Sequence, residues 1–207
     1  MKKILFLVAF AMNCSSYLWA QVRVRDVFAA APDSIFPLLT QNNRLDCLDF
    51  MENNMPAKVK NRLDTYTEMT HLTPLYLRIE MTPRSTVQMR MLNEEGLFCL
   101  ITTYKGPAAD SNIQYFNAKW QPVALDAPVP DIQEFWDDVP DSLRQVAHFA
   151  QMSQADLPLM QMDANQEESP TLTITVQTSE LAEEEQTTAS QYTHSILYRW
   201  EEDHWER

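Results

Sequence analysis

The spacing of hydrophobic residues changes along the chain, and each change marks a change of element. Between residues 43 and 53, Leu45, Leu48 and Met51 recur at every third position with Cys47 beside them, while Asp46, Asp49 and Glu52 fall between. That period predicts a helix with one inward stripe, stopped before Pro56. Ahead of it, Pro32-Asp33-Ser34 opens a short helix over residues 32–39, where Asp33 can accept from the free N–H groups of the first turn. From Leu63 the spacing becomes alternating, the pattern of half-buried strands. Leu75, Leu77, Ile79 and Met81 interleave with Tyr76, Arg78 and Glu80, and Val87, Met89 and Met91 alternate with Gln88 and Arg90. Thr82-Pro83-Arg84-Ser85 makes the turn between these two strands. Asn93-Glu94-Glu95-Gly96 makes the next, where Gly96 supplies the positive φ of a tight reversal. Residues 98–104 read as a central strand that is apolar on both faces. Residues 113–116 and 120–123 add a strand and a return, which completes an antiparallel meander.

Prolines 122, 128 and 130 then break the pattern and separate two halves. Helical spacing resumes after Asp131, over residues 132–136, and after Asp141, over residues 142–151, where Leu143, Val146, Ala147 and Ala150 form the stripe. Strands follow over residues 157–162, 171–177 and 195–200, with a short helix over 179–188 and a closing hairpin at 200–205. The pattern predicts an α+β fold: an antiparallel β-sheet meander with short helices packed on one face. Pro32-Asp33-Ser34-Ile35 is echoed by Pro140-Asp141-Ser142-Leu143. Two readings stay open, a single α+β domain over 21–207 with recurring capping chemistry, or two related halves, 27–123 and 131–207.

Lys2 and Lys3 precede a nine-residue apolar run, residues 4–12, that is too short to span a bilayer. Residues 1–20 therefore read as a secretory signal peptide cleaved after Ala20. A lipid anchor at Cys14 is the alternative. No later apolar stretch approaches the ~20 residues of a spanning helix, so the expectation is an exported protein, periplasmic or extracellular, with no transmembrane segment after processing. In that oxidising compartment Cys47 and Cys99 have two readings, one bridge or two buried thiols among apolar neighbours.

Charge and composition narrow the function. Sixteen Lys and Arg stand against 29 Asp and Glu, a net charge of −13 that disfavours nucleic acid and anionic lipid as partners. An apolar content of 45% excludes a disordered chain. With glycine only at 96 and 106, neither a P-loop nor a dinucleotide turn can be written, and no cofactor is expected. H-E-x-x-H, C-x-x-C and G-x-S-x-G are absent, the histidines lack i, i+4 spacing, and Asp131, Asp137, Asp138 and Asp141 lack the calcium-loop pattern, so no metal is expected either.

The most site-like stretch follows the central strand. Lys105, Gly106, Pro107, Asp110, Ser111 and Asn112 form a candidate binding loop, read otherwise as a turn capped by its own side chains. Tyr76, Tyr104 and Tyr115 form a candidate aromatic contact face, read otherwise as core. The leading expectation is a non-enzymatic envelope protein, a binding or interaction module for a protein or glycan partner. The alternative is a small periplasmic hydrolase using Ser111 or Asp110 with one of His71, His148, His194 and His204.

Pro32-Asp33-Ser34-Ile35, the run Asn42-Asn43-Arg44-Leu45-Asp46, residues 103–111 (TYKGPAADS) and Tyr198-Arg199-Trp200 follow one another in a distinctive order and spacing. In these motifs, and over about Val27 to Trp200, the chain resembles a family of exported proteins of unknown function from Bacteroidales. The resemblance implies an envelope or extracellular α+β protein. It carries over no active-site residue, substrate or cofactor.

Overall fold

The structure, a computed structural model, describes residues 21–146, 149–150, 159–178 and 181–207. The predicted signal peptide with Cys14, His148, and parts of the elements expected over 142–151, 157–162 and 179–188 lie outside the described residues.

The expected α+β class and antiparallel meander are present, and the strands fall into two sheets. Six lie in sequential order: β1 Ala57–Lys60, β2 Tyr66–Leu72, β3 Tyr76–Thr82, β4 Ser85–Met91, β5 Phe98–Lys105 and β6 Ala109–Phe116. Four more, β7 Met160–Ala164, β8 Thr171–Val176, β9 Ile196–Glu201 and β10 His204–Glu206, form a second sheet in the order β10-β9-β8-β7, which leaves β7 at an edge. Helices α1 Val24–Ala29 and α2 Gln41–Glu52 precede the first sheet, while a 3-10 turn Ile132–Phe135 and helices α3 Asp141–Arg144 and α4 Glu183–Ala189 accompany the second.

Sequence chemistry explains where α2 begins. The Thr40 hydroxyl accepts from the Asn43 backbone N–H at 3.2 Å, and the Asn43 side chain accepts from the Thr40 N–H at 3.1 Å, a reciprocal capping box. The inward face differs from the predicted stripe: Arg44, Cys47 and Leu48 are buried, and Leu45 is 39% exposed. Arg44 sets this rotation, because its guanidinium donates to the carbonyls of Ala31 and Leu39 and to the Asp33 carboxylate. Residues 32–39 form turns instead of the expected helix. Asp33 does not cap them; it takes Arg44 at 3.1 Å and Arg62 at 2.7 Å, and these two guanidinium groups hold its carboxyl below the usual carboxylate range. The short α1 was not legible in the sequence, since six residues hardly establish a period.

Two cores lie on opposite faces of the first sheet. On one face α1, α2 and residues 31–39 cover Leu77, Ile79, Val87, Met89, Phe98 and Leu100. Trp120 closes this core, with its indole N–H donating to the Val27 carbonyl at 2.9 Å and its ring edge-on to Phe36 and Phe98. On the other face Tyr76, Cys99, Ile101, Ile113 and Tyr115 meet Met160, Met162, Leu172, Ile174 and Ile196 of the second sheet. Helices thus cover one face, as expected, and a second sheet covers part of the other. Cys47 and Cys99 are free buried thiols in different cores, so the bridged reading is replaced by the buried-thiol one. Burial pushes both thiols up to about 12, which keeps them protonated and unreactive while the fold is intact.

Candidate functional site

The candidate loop is shorter than its composition suggested. Only residues 106–108 form the turn, and Asp110, Ser111 and Asn112 lie within β6, paired with Tyr104, Thr103 and Thr102. The reason is periodic: exposed Asp110, Asn112 and Gln114 alternate with Ser111, Ile113 and Tyr115, which continues the strand beneath a turn-like composition. Gly106 and Pro107 are exposed in the turn, and Lys105 donates to Glu80 at 2.6 Å.

Asp110 and Ser111 face the edge of the second sheet. Along β7 the backbone N–H of Met160 donates to Asp110 at 3.4 Å, that of Met162 to the Ser111 hydroxyl at 3.0 Å, and that of Ala164 to Gln88 Oε1 at 3.1 Å. Gln88 also donates through Nε2 to the Met162 carbonyl and the Asp163 carboxylate, both at 3.2 Å, and its Oε1 accepts from the Tyr76 hydroxyl. Side chains of one sheet thus supply the partners that a neighbouring strand would give an edge. Ser111 is further paired with the Thr103 hydroxyl at 2.9 Å. Among the described residues, the ring nitrogens of His71, His194 and His204 pair with Thr70, with Asp137 and with Glu202 and Glu206, and not with Ser111 or Asp110. Ser111→Ala is therefore expected to destabilise the fold by about 1–2 kcal/mol, the cost of orphaning one buried N–H. Denaturant unfolding checks this, and an unchanged midpoint would contradict the assigned contact.

The three tyrosines do not share a face. Tyr76 is buried between the sheets, where desolvation pushes its hydroxyl up to about 12. Tyr115 is buried too; its oxygen accepts from the Trp205 indole at 2.9 Å and its ring stacks on Trp200. Tyr104 alone is open to solvent, at 63% exposure.

The structure offers a different surface, the outer face of β1–β3. There Lys58, Lys60, Tyr66, Glu68 and Thr70 are all exposed while their alternating neighbours Val59, Thr67 and Met69 are buried. Tyr66 is 58% exposed, with the Lys58 ammonium 5.1 Å from its ring centroid. It borders an open cleft of about 530 Å³ whose other walls include Thr65, Glu68, Glu80 and Pro83. Glu80 forms the inner wall. Burial raises its carboxyl, but hydrogen bonds from Lys105 and Thr86 outweigh that and hold it below the usual range. Arg78 joins this wall to the second sheet through Asp163 at 3.3 Å.

A family model described as a protein of unknown function (DUF3256) matches residues 17–205. The chain belongs to the DUF3256 family. Its fold is similar to that of a domain of an uncharacterized protein from Porphyromonas gingivalis W83, with a TM-score of 0.70 and 26% identity over 89% of this chain and 96% of that one. No curated protein matches. Among the described residues of this DUF3256 chain, no group of three His, Cys, Asp or Glu side chains could hold a metal ion, and no helix is long and apolar enough to cross a membrane. Sequence reasoning missed Tyr66 and Lys58. The available signal was an aromatic residue at an outward position of an alternating strand, next to a strand whose outward positions are both lysine.

Proposed function

We propose that this DUF3256 protein is an exported, non-enzymatic binding module of the cell envelope, taking a protein or glycan partner on the outer face of β1–β3. The observation that carries the reading is the uncovered part of the six-stranded sheet. The second sheet packs against β4, β5 and β6 and reaches Tyr76 and Arg78 of β3, while β1 and β2 keep an exposed aromatic ring and a row of charged side chains. An exposed Tyr set among polar groups is a usual contact element, because it offers area at low entropic cost. Export is supported by the basic pair and the short apolar run of residues 2–12. The edge-satisfying bonds of Asp110 and Ser111 give these residues a structural task and favour binding over hydrolysis.

Affinity capture from envelope fractions of the source organism tests the reading. A partner retained by the wild-type protein should be lost with Tyr66→Ala and kept with Ser111→Ala. Retention that ignores Tyr66→Ala, or no retention above a mock capture, would refute it.

A further inference from the structure

We infer that the exported chain carries a lactam at its new N-terminus: Gln21 closes onto its own α-amine to give pyroglutamate, which blocks the chain one residue ahead of a core anchor. Cleavage after Ala20, the export reading on which this rests, makes Gln21 the first residue.

The chemistry follows from the residue that cleavage exposes. The lone pair of the Gln21 α-nitrogen adds to the side-chain amide carbon Cδ, the new N–Cδ bond closes a five-membered ring, and the bond from Cδ to Nε2 breaks. One amine proton leaves with Nε2 as ammonia, so no oxidant, reductant or other co-reactant is consumed. Amine and amide belong to one residue, which removes the entropic cost of bringing them together. An α-amine with an ordinary pKa of about 8 is partly unprotonated at neutral pH.

The structure leaves the reacting groups free and fixes the residues that follow. Gln21 is exposed at the wall of an open cleft of about 570 Å³, beside Thr73, Pro74, Leu75 and Asn93. None of the hydrogen bonds among the described residues takes its side-chain amide, which can therefore fold back onto the α-nitrogen. From Val22 onward the chain is pinned. The Val22 side chain packs against the core beneath α1 and α2 and stands beside Gly96, where an added Cβ would come within 3.4 Å of both Val22 methyl groups. The Val24 N–H, at the start of α1, donates to the Pro74 carbonyl at 2.9 Å. A terminus at Gln21 thus has a single spare residue, and an aminopeptidase that removed two would take Val22 out of the core. A lactam offers such an enzyme no α-amine and so secures the anchor.

The competing state is a free ammonium held by Glu94 and Glu168, which are exposed and line the same cleft. An exposed ion pair lowers the unprotonated fraction of an amine by only about fivefold. That slows ring closure without stopping it, because the released ammonia is diluted away.

Purification of the protein from envelope fractions of the source organism, labelling of its free amines before digestion, and tandem mass spectrometry of the N-terminal peptide test the inference. The peptide should begin at residue 21, carry no label on its α-nitrogen and weigh about 17 Da less than its unmodified form, the mass of one ammonia. Gln21→Ala should be cut at the same place and take the label. Exposed to an aminopeptidase, the wild-type chain should stay intact while Gln21→Ala is shortened, and a chain that has lost residues 21 and 22 should melt about 2–4 °C lower. A labelled Gln21 of full mass would overturn the lactam and leave export standing. An uncut chain, a lipid on Cys14 or cleavage at another position would overturn both. An unchanged melting temperature after trimming would overturn the role of Val22 as the anchor that the lactam protects.

Discussion

Replacing Arg90 by alanine is expected to destabilise the protein by about 3 kcal/mol, the cost of leaving several buried acceptors without their charged donor. Arg90 has 0% exposure, yet none of its hydrogen-bond partners is a carboxylate. Its guanidinium donates to the Leu75 carbonyl at 3.3 Å, the Asn165 side chain at 3.3 Å and the Glu168 carbonyl at 3.0 Å, and also to the Glu167 carbonyl. Burial alone works against the charge and draws the Arg90 pKa below its ordinary value. The bonds offset that cost only as a set: those to Asn165, Glu167 and Glu168 fix the turn between β7 and β8 onto β4, and the one to Leu75 ties in the segment before β3. Arg90→Lys should recover a minor share, since an ammonium cannot reach acceptors arranged for a planar fork. For a chain of this size the alanine variant should melt about 6–12 °C lower, with faster hydrogen exchange over residues 165–171. A loss under about 1 kcal/mol, the scale of one ordinary hydrogen bond, would show that water replaces the arginine at little cost.

Trp120→Ala should be equally damaging, by about 3–5 kcal/mol, the range for truncating a buried aromatic. Trp120 sits at φ 60°, a conformation in which a bulky residue is uncommon. It is held there by the turn from Asn117, whose side-chain oxygen accepts from the N–H groups of Lys119 and Gln121. From that position the ring packs against Phe36, Phe98 and Phe116 while its N–H reaches α1. Trp120→Phe separates the two contributions: it keeps most of the packing and should cost only about 1–2 kcal/mol for the orphaned Val27 carbonyl and the smaller ring. Urea unfolding of both variants checks the order. Equal losses would mean that the hydrogen bond, and not the packing, ties α1 to the sheet.

The strands were legible where one face meets a core and the other does not, as at Leu77, Ile79 and Met81. Gln88 and Arg90 show where that logic ended. They alternate with Val87, Met89 and Met91 and so read as a solvent face, yet both are fully buried. A sequence shows the polarity of a face but not which distant strand will cover it, and β7 covers this one because its N–H groups require polar partners. Arg44 misled in the same way, since its distant carbonyl partners turned α2 away from the stripe suggested by Leu45. The candidate loop failed for a compositional reason: Asp, Ser and Asn are turn formers, and here they occupy a strand whose alternation they preserve. Tyr66 escaped notice because a lone outward aromatic carries meaning only once the covered and uncovered parts of the sheet are known.

The way β7 is satisfied bears on the company this protein keeps at high concentration. Asp110, Ser111 and Gln88 occupy three N–H groups that could otherwise recruit a strand from another molecule. Unlike lysines or prolines placed on the strand itself, these guards reside in the other sheet and act only when the two sheets are docked. Any condition that parts the sheets without unfolding them would bare a ready template, so docking is also the step that protects the protein from edge-to-edge polymerisation.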